Sequence, residues 1–286
     1  MPELPEVESV RQSLHPLLPG KEIKSLEIRK QKIVRAEHFK SFLKDAIFAE
    51  PQRRAKLLIF PFKNREEIMI GHLKMTGQFL YQDKSSTVGG GHSLNPGELP
   101  KLPHKHTHVI FEFTDNSHLF FNDMRQFGYL DIVTPQQLED IIERSYGIEP
   151  LTPDFTYDNF EKIFENRKTS IKALLLNQKA ISGLGNIYVD EICYQCQIRP
   201  DRPANKITKE EQQKLFETTQ EIIKKAIDCG GTTFQYYTDA HGVHGNFRDH
   251  LQVFGKTGKL CPNTGGLIEK TRVAGRGTHW SPQWQK

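Results

Sequence analysis

The sequence predicts an α+β fold in three parts: a β-rich N-terminal domain headed by one helix, a helical domain, and a short C-terminal hairpin. Three observations carry this. Residues 21–135 hold short β-branched and aromatic runs, IKSLEIRK, KLLIFPF, EIMIGHL, HVIFEF and SHLFFND, between polar turns, the pattern of strands. Past YGIEPLTPD, apolar residues return at helical spacing. From about residue 246 an alternating pattern resumes and predicts a β-hairpin.

Taken in order, Val7, Val10, Leu14 and Leu17 give a helix over residues 2–18, stopped by Pro16, Pro19 and Gly20. The strands that follow suit an antiparallel sandwich or a barrel. Within them QDKSSTVGGGHSLNPGELPKLP reads as a surface loop, being polar and rich in Gly and Pro. The prolines of YGIEPLTPD mark a linker. Phe160, Ile163 and Phe164 open the helical part, and Ile171, Leu174 and Leu175 continue it. Thr208 with Glu211 three residues on is a capping box. It starts a helix whose stripe is Leu215, Phe216, Ile222, Ile223, Ala226 and Ile227, closed by Gly230. The boundaries are therefore 1–135, a linker at 136–151, then 152–245 and 246–286, consistent with about two domains of roughly 150 residues plus an appendage.

Hydrophobic residues make up 36% and charged residues 26%, a globular composition with a real core. No apolar run approaches the roughly 20 residues of a membrane helix. MPELPEVESV lacks a basic and apolar leader, and four cysteines do not build a disulfide framework. A cytoplasmic, reducing setting is expected. The net charge of +4 leans mildly towards polyanions.

Several stretches could carry chemistry. Removal of the initiator Met would leave Pro2 with a free secondary amine, and α-amino groups titrate near about 7.7–8.0. Such an amine can attack a sugar carbon and form a Schiff base, with Glu3 beside it to move protons. A proline-led helix start with acids favourable to the helix dipole explains the same residues and is favoured on them alone. In SGLGNIYVDE, Gly183 and Gly185 could turn backbone N–H groups towards a phosphate, with Asn186 adding a donor; an ordinary helical corner is the alternative. His104, His106 and His108 alternate and could share a strand face. Cys193 and Cys196 form a Cys-x2-Cys on a predicted helix, without a second pair. At the C-terminus Cys261, Thr264, Ser281 and Trp284 have the spacing of a four-ligand zinc hairpin, yet only Cys261 is a zinc ligand of the usual kind.

MPELPEVE, RRAKLLIF, GHLKMTG, KHTHV, NDMRQFG, GIEPL, LLNQKAISGLGNIYVDE, GGTT and GRGTH occur in this order from residue 1 to 279. Together they resemble the formamidopyrimidine-DNA glycosylase / endonuclease VIII family over essentially the whole chain. The start MPELPEVE is similar to the formamidopyrimidine branch. The resemblance implies an N-terminal antiparallel β-sandwich with an N-terminal helix, a helix–two-turn–helix domain, and a C-terminal β-hairpin finger. It also implies a bifunctional glycosylase and abasic-site lyase that removes 8-oxoguanine and formamidopyrimidines from damaged double-stranded DNA, acting as a monomer without a cofactor.

By that match Pro2 is the nucleophile, Glu3 the general acid/base, and Lys56 and Arg276 hold phosphates during the reaction. Glu6 and Glu191 order the site. Met75, Arg125 and Phe127 fill the hole left by an extruded nucleotide and wedge the duplex, and His72, His106, Arg167, Asn186 and Arg276 bind the DNA backbone. Thr232 and Thr233 open the loop over the flipped base. Gln126 stands where the family often has arginine, and the loop after GGTT departs from common forms. Two other readings are an endonuclease VIII-like enzyme for oxidised pyrimidines and a non-catalytic damaged-DNA-binding paralogue. The LPE start opposes the first; Pro2, Glu3 and Lys56 together oppose the second. The KHTHV segment reads as DNA-facing and not as metal-binding, and Cys193 and Cys196 as buried packing thiols. The finger is expected to stand without zinc, on hydrophobic contacts of Trp280 and Trp284. Elemental analysis of the purified protein should therefore find far less than one zinc per chain, and stoichiometric zinc would refute the zincless finger.

Overall fold

A computed structural model describes residues 2–91, 101–232 and 247–286. Helix α1 (Leu4–Leu14) begins two residues past Pro2. Pro5 lies in its first turn, and the Glu6 carboxylate accepts the backbone N–H of Glu3 at 2.8 Å, closing one side of a capping box. Of its buried face, Val7, Val10 and Leu14 join the main core. The chain continues through β1 (Ile23–Ile28), a short α2 (Phe39–Leu43), β2 (Gln52–Arg54), β3 (Leu57–Phe60) and β4 (Ile68–His72). It goes on through β5 (Gly77–Gln82), β6 (Thr87–Gly91), β7 (Thr107–Phe113), β8 (His118–Asp123) and β9 (Tyr129–Val133).

These strands form two antiparallel sheets, ordered β1-β7-β8-β5-β6 and β2-β3-β4-β9, so the architecture is a sandwich and not a barrel. Period-2 alternation explains the core. Phe79, Phe111, Phe113 and Phe121 of one sheet meet Phe60 and Met69 of the other, with the Phe60 and Phe79 ring centres 5.3 Å apart. The residues between them, Leu80, Ile110 and Phe120, make a smaller cluster on the opposite face. The stretch read as a surface loop contains β6. Gly89 lets that strand lie close, since a Cβ there would sit 2.2 Å from the Phe79 carbonyl oxygen.

The expected linker at 136–151 instead holds α3 (Pro135–Ser145). Thr134 and Gln137 cap it reciprocally, at 2.9 and 3.2 Å. None of its residues is fully buried, and its apolar stripe is only Leu138, Ile141 and Ile142, short enough to pass for a linker. Helices α4 (Tyr157–Lys162), α5 (Ile171–Leu176), α6 (Asn186–Gln195) and α7 (Lys209–Asp228) follow. The first two carry Thr156 and Ser170 as side-chain caps. Thr208 and Glu211 cap α7 as their spacing predicts, at 2.9 and 3.3 Å. The two turns between α5 and α6 are tied by Gln178, whose amide donates to the Leu184 carbonyl and accepts from the Gly183 N–H. The predicted hairpin is β10 (Glu269–Val273) with β11 (Arg276–Trp280), joined by Ala274 and Gly275 at φ 51° and 71°, the left-handed pair of a two-residue hairpin turn.

The chain divides into two compact units between Ile142 and Glu143. Cys229–Thr232 belong to the first, and Phe247–Lys286 to the second along with the helices. The C-terminal finger is thus part of the helical unit. Lys172 of α5 and Asp190 of α6 form a fully buried ion pair at 2.5 Å. Asp190 also accepts the His279 N–H of β11 at 2.9 Å, while Asn186 and Lys172 both donate to the Gly277 carbonyl, at 2.9 and 3.4 Å. The C-terminal Gln285 bonds the Ile198 carbonyl.

Where a zinc hairpin would have its metal, Cys261 sits buried against Tyr194 of α6, whose hydroxyl is 3.2 Å from the sulfur. Trp284 packs there too and donates to the Tyr194 carbonyl. Trp280, expected to do the same, instead lies under the Arg199 guanidinium. A thiol, hydroxyls and an indole do not make a zinc donor set. No described helix is long and apolar enough to cross a membrane. Removing one partner of a buried pair strands the other's charge, so Asp190→Ala should cost about 3–5 kcal/mol in urea unfolding; a loss under about 1 kcal/mol would show that the pair is not what docks the hairpin.

Candidate functional site

In the first unit, the head of α1 brings together Pro2, Glu3, Glu6 and Thr232, all buried. Glu6 makes the junction. One carboxylate oxygen takes the Glu3 N–H, and the other takes both the N–H and the hydroxyl of Thr232, at 2.8 and 2.9 Å. Gly231, at φ 78°, has no room for a Cβ, which would lie 2.8 Å from that second oxygen. Glu6 therefore fixes the backbone beside Pro2 and the segment that opens the GGTT loop. Thr233 lies outside the described residues.

Lys56 stands in the β2–β3 turn beside Ala55, which is left-handed at φ 53°. Arg53 locks this turn to α1, reaching Glu8 at 2.8 Å and the Ala55 carbonyl at 2.9 Å. Burial pushes the Glu8 carboxyl up, but Arg11 and Arg53 outweigh it and hold the group below its usual range. Nothing in the motifs singled out Glu8 or Arg53; an acid two turns into a helix looks like any solvated one.

His72 ends β4. Its Nδ1 accepts the Lys74 N–H at 3.0 Å, which leaves the ring hydrogen on Nε2 as a neutral donor. Burial, with Lys74, Lys56 and Arg35 nearby, lowers its pKa to about 3. Arg35 lies 3.3 Å above the Tyr129 ring, which is tilted beside His72. This concentration of cations suits a phosphate, and Arg35 is a member that the sequence did not reveal.

Met75 and the Arg125–Phe127 turn sit at adjacent strand ends. Arg125 Nη1 approaches the Met75 sulfur at 2.8 Å, and its guanidinium lies 4.8 Å from the Phe127 ring centre. Met75 and Phe127 are exposed, as is Met124, an unusual state for large apolar side chains without a partner. Gln126 holds the turn at φ 56°. The alternation of His104, His106 and His108 does not produce one strand face, because β7 begins at Thr107. His104 and His106 lie in the turn before it, and buried His108 bonds the Asp123 carbonyl at 2.6 Å. Among the described residues no three His, Cys, Asp or Glu side chains group as metal ligands.

In the second unit, Arg276 is exposed at the tip of the hairpin, and Asn186 at the start of α6 holds the neighbouring Gly277 carbonyl. Arg167 is exposed in the turn between α4 and α5. Glu191 is not an open acid: it accepts the N–H groups of Gln252, Val253 and Phe254 at 2.8–2.9 Å. Burial raises its pKa despite those bonds. The Gly183 N–H, read as a phosphate donor, is already taken by Gln178. Cys193 and Cys196 are buried thiols pushed up in pKa by burial, Cys196 to about 11. Burial also raises the Cys261 thiol, but the hydroxyls of Ser281, Thr264 and Tyr194 around it bring it down to about 7.

Residues 1–130 match the model of the formamidopyrimidine-DNA glycosylase N-terminal domain, and 146–238 that of its H2TH domain. The chain is 37% identical over 290 residues to the formamidopyrimidine-DNA glycosylase of Listeria innocua, covering 100% of both. Two solved structures from Lactococcus lactis are similar at 33% identity. One is a point mutant with DNA containing Fapy-dG, at a TM-score of 0.87 over 100% of both chains. The other is a complex with abasic-site DNA, at 0.86 over 99% of both.

A group whose folded pKa is depressed to about 3 from 6.5 takes up its proton only on unfolding. The unfolded state then binds more protons between those values, so stability falls as pH drops through that window. Replacing His72 by Asn, which can still accept the Lys74 N–H, should flatten the acid limb of stability against pH between 6.5 and 4. Parallel wild-type and variant profiles would place the ring proton elsewhere.

Proposed function

The chain belongs to the formamidopyrimidine-DNA glycosylase family, and from that premise we propose that it is a base-excision-repair glycosylase with abasic-site lyase activity on oxidised purines in duplex DNA. The observation that carries this is the buried head of α1, where Glu6 clamps Glu3, the neighbour of Pro2, to Thr232. The Pro2 amine attacks C1′ of the damaged nucleotide, the glycosidic bond breaks, and the base leaves with a proton. The C1′–O4′ bond then opens, the proton shed by the proline nitrogen passing to O4′, and the iminium so formed makes the C2′ hydrogen acidic. Its removal expels the 3′ phosphate, and a second elimination expels the 5′ phosphate. Glu3 moves the protons. Lys56 and His72 bind phosphate from the first unit, and Asn186, Arg167 and Arg276 do so from the second, while His106 faces the DNA backbone. Glu191 shapes the 252–254 turn and Glu6 the start of the lesion loop. Once the nucleotide leaves the stack, Met75, Arg125 and Phe127 occupy its place. The protein works as a monomer and needs no cofactor for these steps, and its four free cysteines suit a reducing cytoplasm.

Borohydride added to the protein with an 8-oxoguanine duplex should trap a covalent adduct at Pro2, and Glu3→Gln should slow base release roughly 10²–10⁴-fold. Absence of any adduct from the Met-processed protein would falsify the lyase assignment.

A further inference from the structure

Asp123, the last residue of β8, is fully buried, and every polar atom it has is engaged. Its Oδ1 accepts the Thr76 hydroxyl and, at 3.1 Å, the Arg125 N–H, which also reaches the Thr76 oxygen at 2.9 Å. Its Oδ2 accepts the Gly128 N–H at 2.7 Å. Its own N–H donates to the His106 carbonyl at 2.9 Å, and its carbonyl receives His108 Nε2. The Asp123 carboxylate thus ties the Met75–Thr76 loop to the Arg125–Gly128 turn, and its backbone N–H adds the His106 turn.

The turn needs that support. Gln126 is left-handed, a conformation that costs a residue with a side chain free energy unless its surroundings impose it. The closure is also tight: a Cβ on Gly128 would meet Asp123 Oδ2 at 2.9 Å and the His72 carbonyl at 3.0 Å. Met75, Arg125 and Phe127 are exposed and have no core packing to fix them, so their mutual geometry is set from beneath.

We infer that Asp123, through its clasp on Thr76 and the Arg125–Gly128 turn, is the positioning residue that sets Met75, Arg125 and Phe127 as one rigid wedge. The inference rests on the function proposed above and deepens it. Asp123 touches no substrate; it acts through the three side chains that enter the duplex. Displacement of such a set by about 1 Å can cost on the order of 10²-fold in rate. The loss falls on steps that need the wedge, and chemistry at an already exposed abasic sugar does not need it.

The test uses Asp123→Asn, Thr76→Val and Thr76→Ser in the full-length protein. For each, the rate of 8-oxoguanine excision from duplex is divided by the rate of borohydride trapping on a single-stranded abasic oligonucleotide. The ratio should fall at least tenfold in Asp123→Asn and Thr76→Val and stay within threefold of wild type in Thr76→Ser, which keeps the hydroxyl. A 2-aminopurine opposite an abasic site should also lose its unstacking signal in the first two variants. An unchanged ratio in Asp123→Asn and Thr76→Val, whatever the overall activity, overturns the inference, as does a Thr76→Ser protein as impaired as Thr76→Val. A wild-type protein that neither excises nor traps removes the proposed function instead.

Discussion

A carboxylate withdrawn from water must be given donors, or it neutralises or moves back out. In this chain the donors come from the segments that carry the candidate chemistry. Glu6 takes them from Glu3 and Thr232, Asp123 from Thr76, Arg125 and Gly128, Asp190 from Lys172 and His279, and Glu191 from three consecutive amides at 252–254. Each joins stretches far apart in sequence, and each would leave costly unpaired groups if the stretches separated. The loops are thereby positioned without being packed, so the exposed side chains at their tips stay available to a ligand.

The hairpin illustrates how one strut can replace another. In a zinc finger the metal does the folding work. Here β11 is held by the Lys172–Asp190 pair and by two donors on the Gly277 carbonyl, while Tyr194, Trp284 and a single buried sulfur occupy the centre. Cys261, Thr264 and Ser281 still converge. The hairpin is thus held by protein contacts, with Arg276 exposed at its tip.

Much of this was legible in the sequence, for identifiable reasons. Period-2 runs gave the sandwich strands, the Thr208–Glu211 pair gave the start of the longest helix, and the ordered motifs gave the family. Met75, Arg125 and Phe127, named through the motifs, lie side by side, with Arg125 touching both of the others. Helix α3 escaped because its apolar stripe is short, only Leu138, Ile141 and Ile142, beside a proline-marked stretch, and its Thr–x–x–Gln cap is a weak local signal. β6 escaped because Gly89 serves a close strand approach, and a glycine-rich run reads as a turn. Asp123, Glu8, Arg53, Arg35, Lys172 and Asp190 were not foreseen. Their roles depend on partners far along the chain, 45 residues for Arg53 and Glu8 and 105 for Lys172 and the Gly277 carbonyl, and spacing along the chain cannot show this.

The imidazole at the end of β4 carries a further consequence. Lysines and arginines bind phosphate by displacing the cations condensed around nucleic acid, and each such contact weakens as salt is added. A ring kept neutral by burial and by its cationic neighbours displaces no cation when Nε2 donates to a phosphate oxygen. In the phosphate-binding role proposed for it, His72 would thus add a directional hold that ionic strength does not erode, one that would persist where the electrostatic attraction of the lysines and arginines fades.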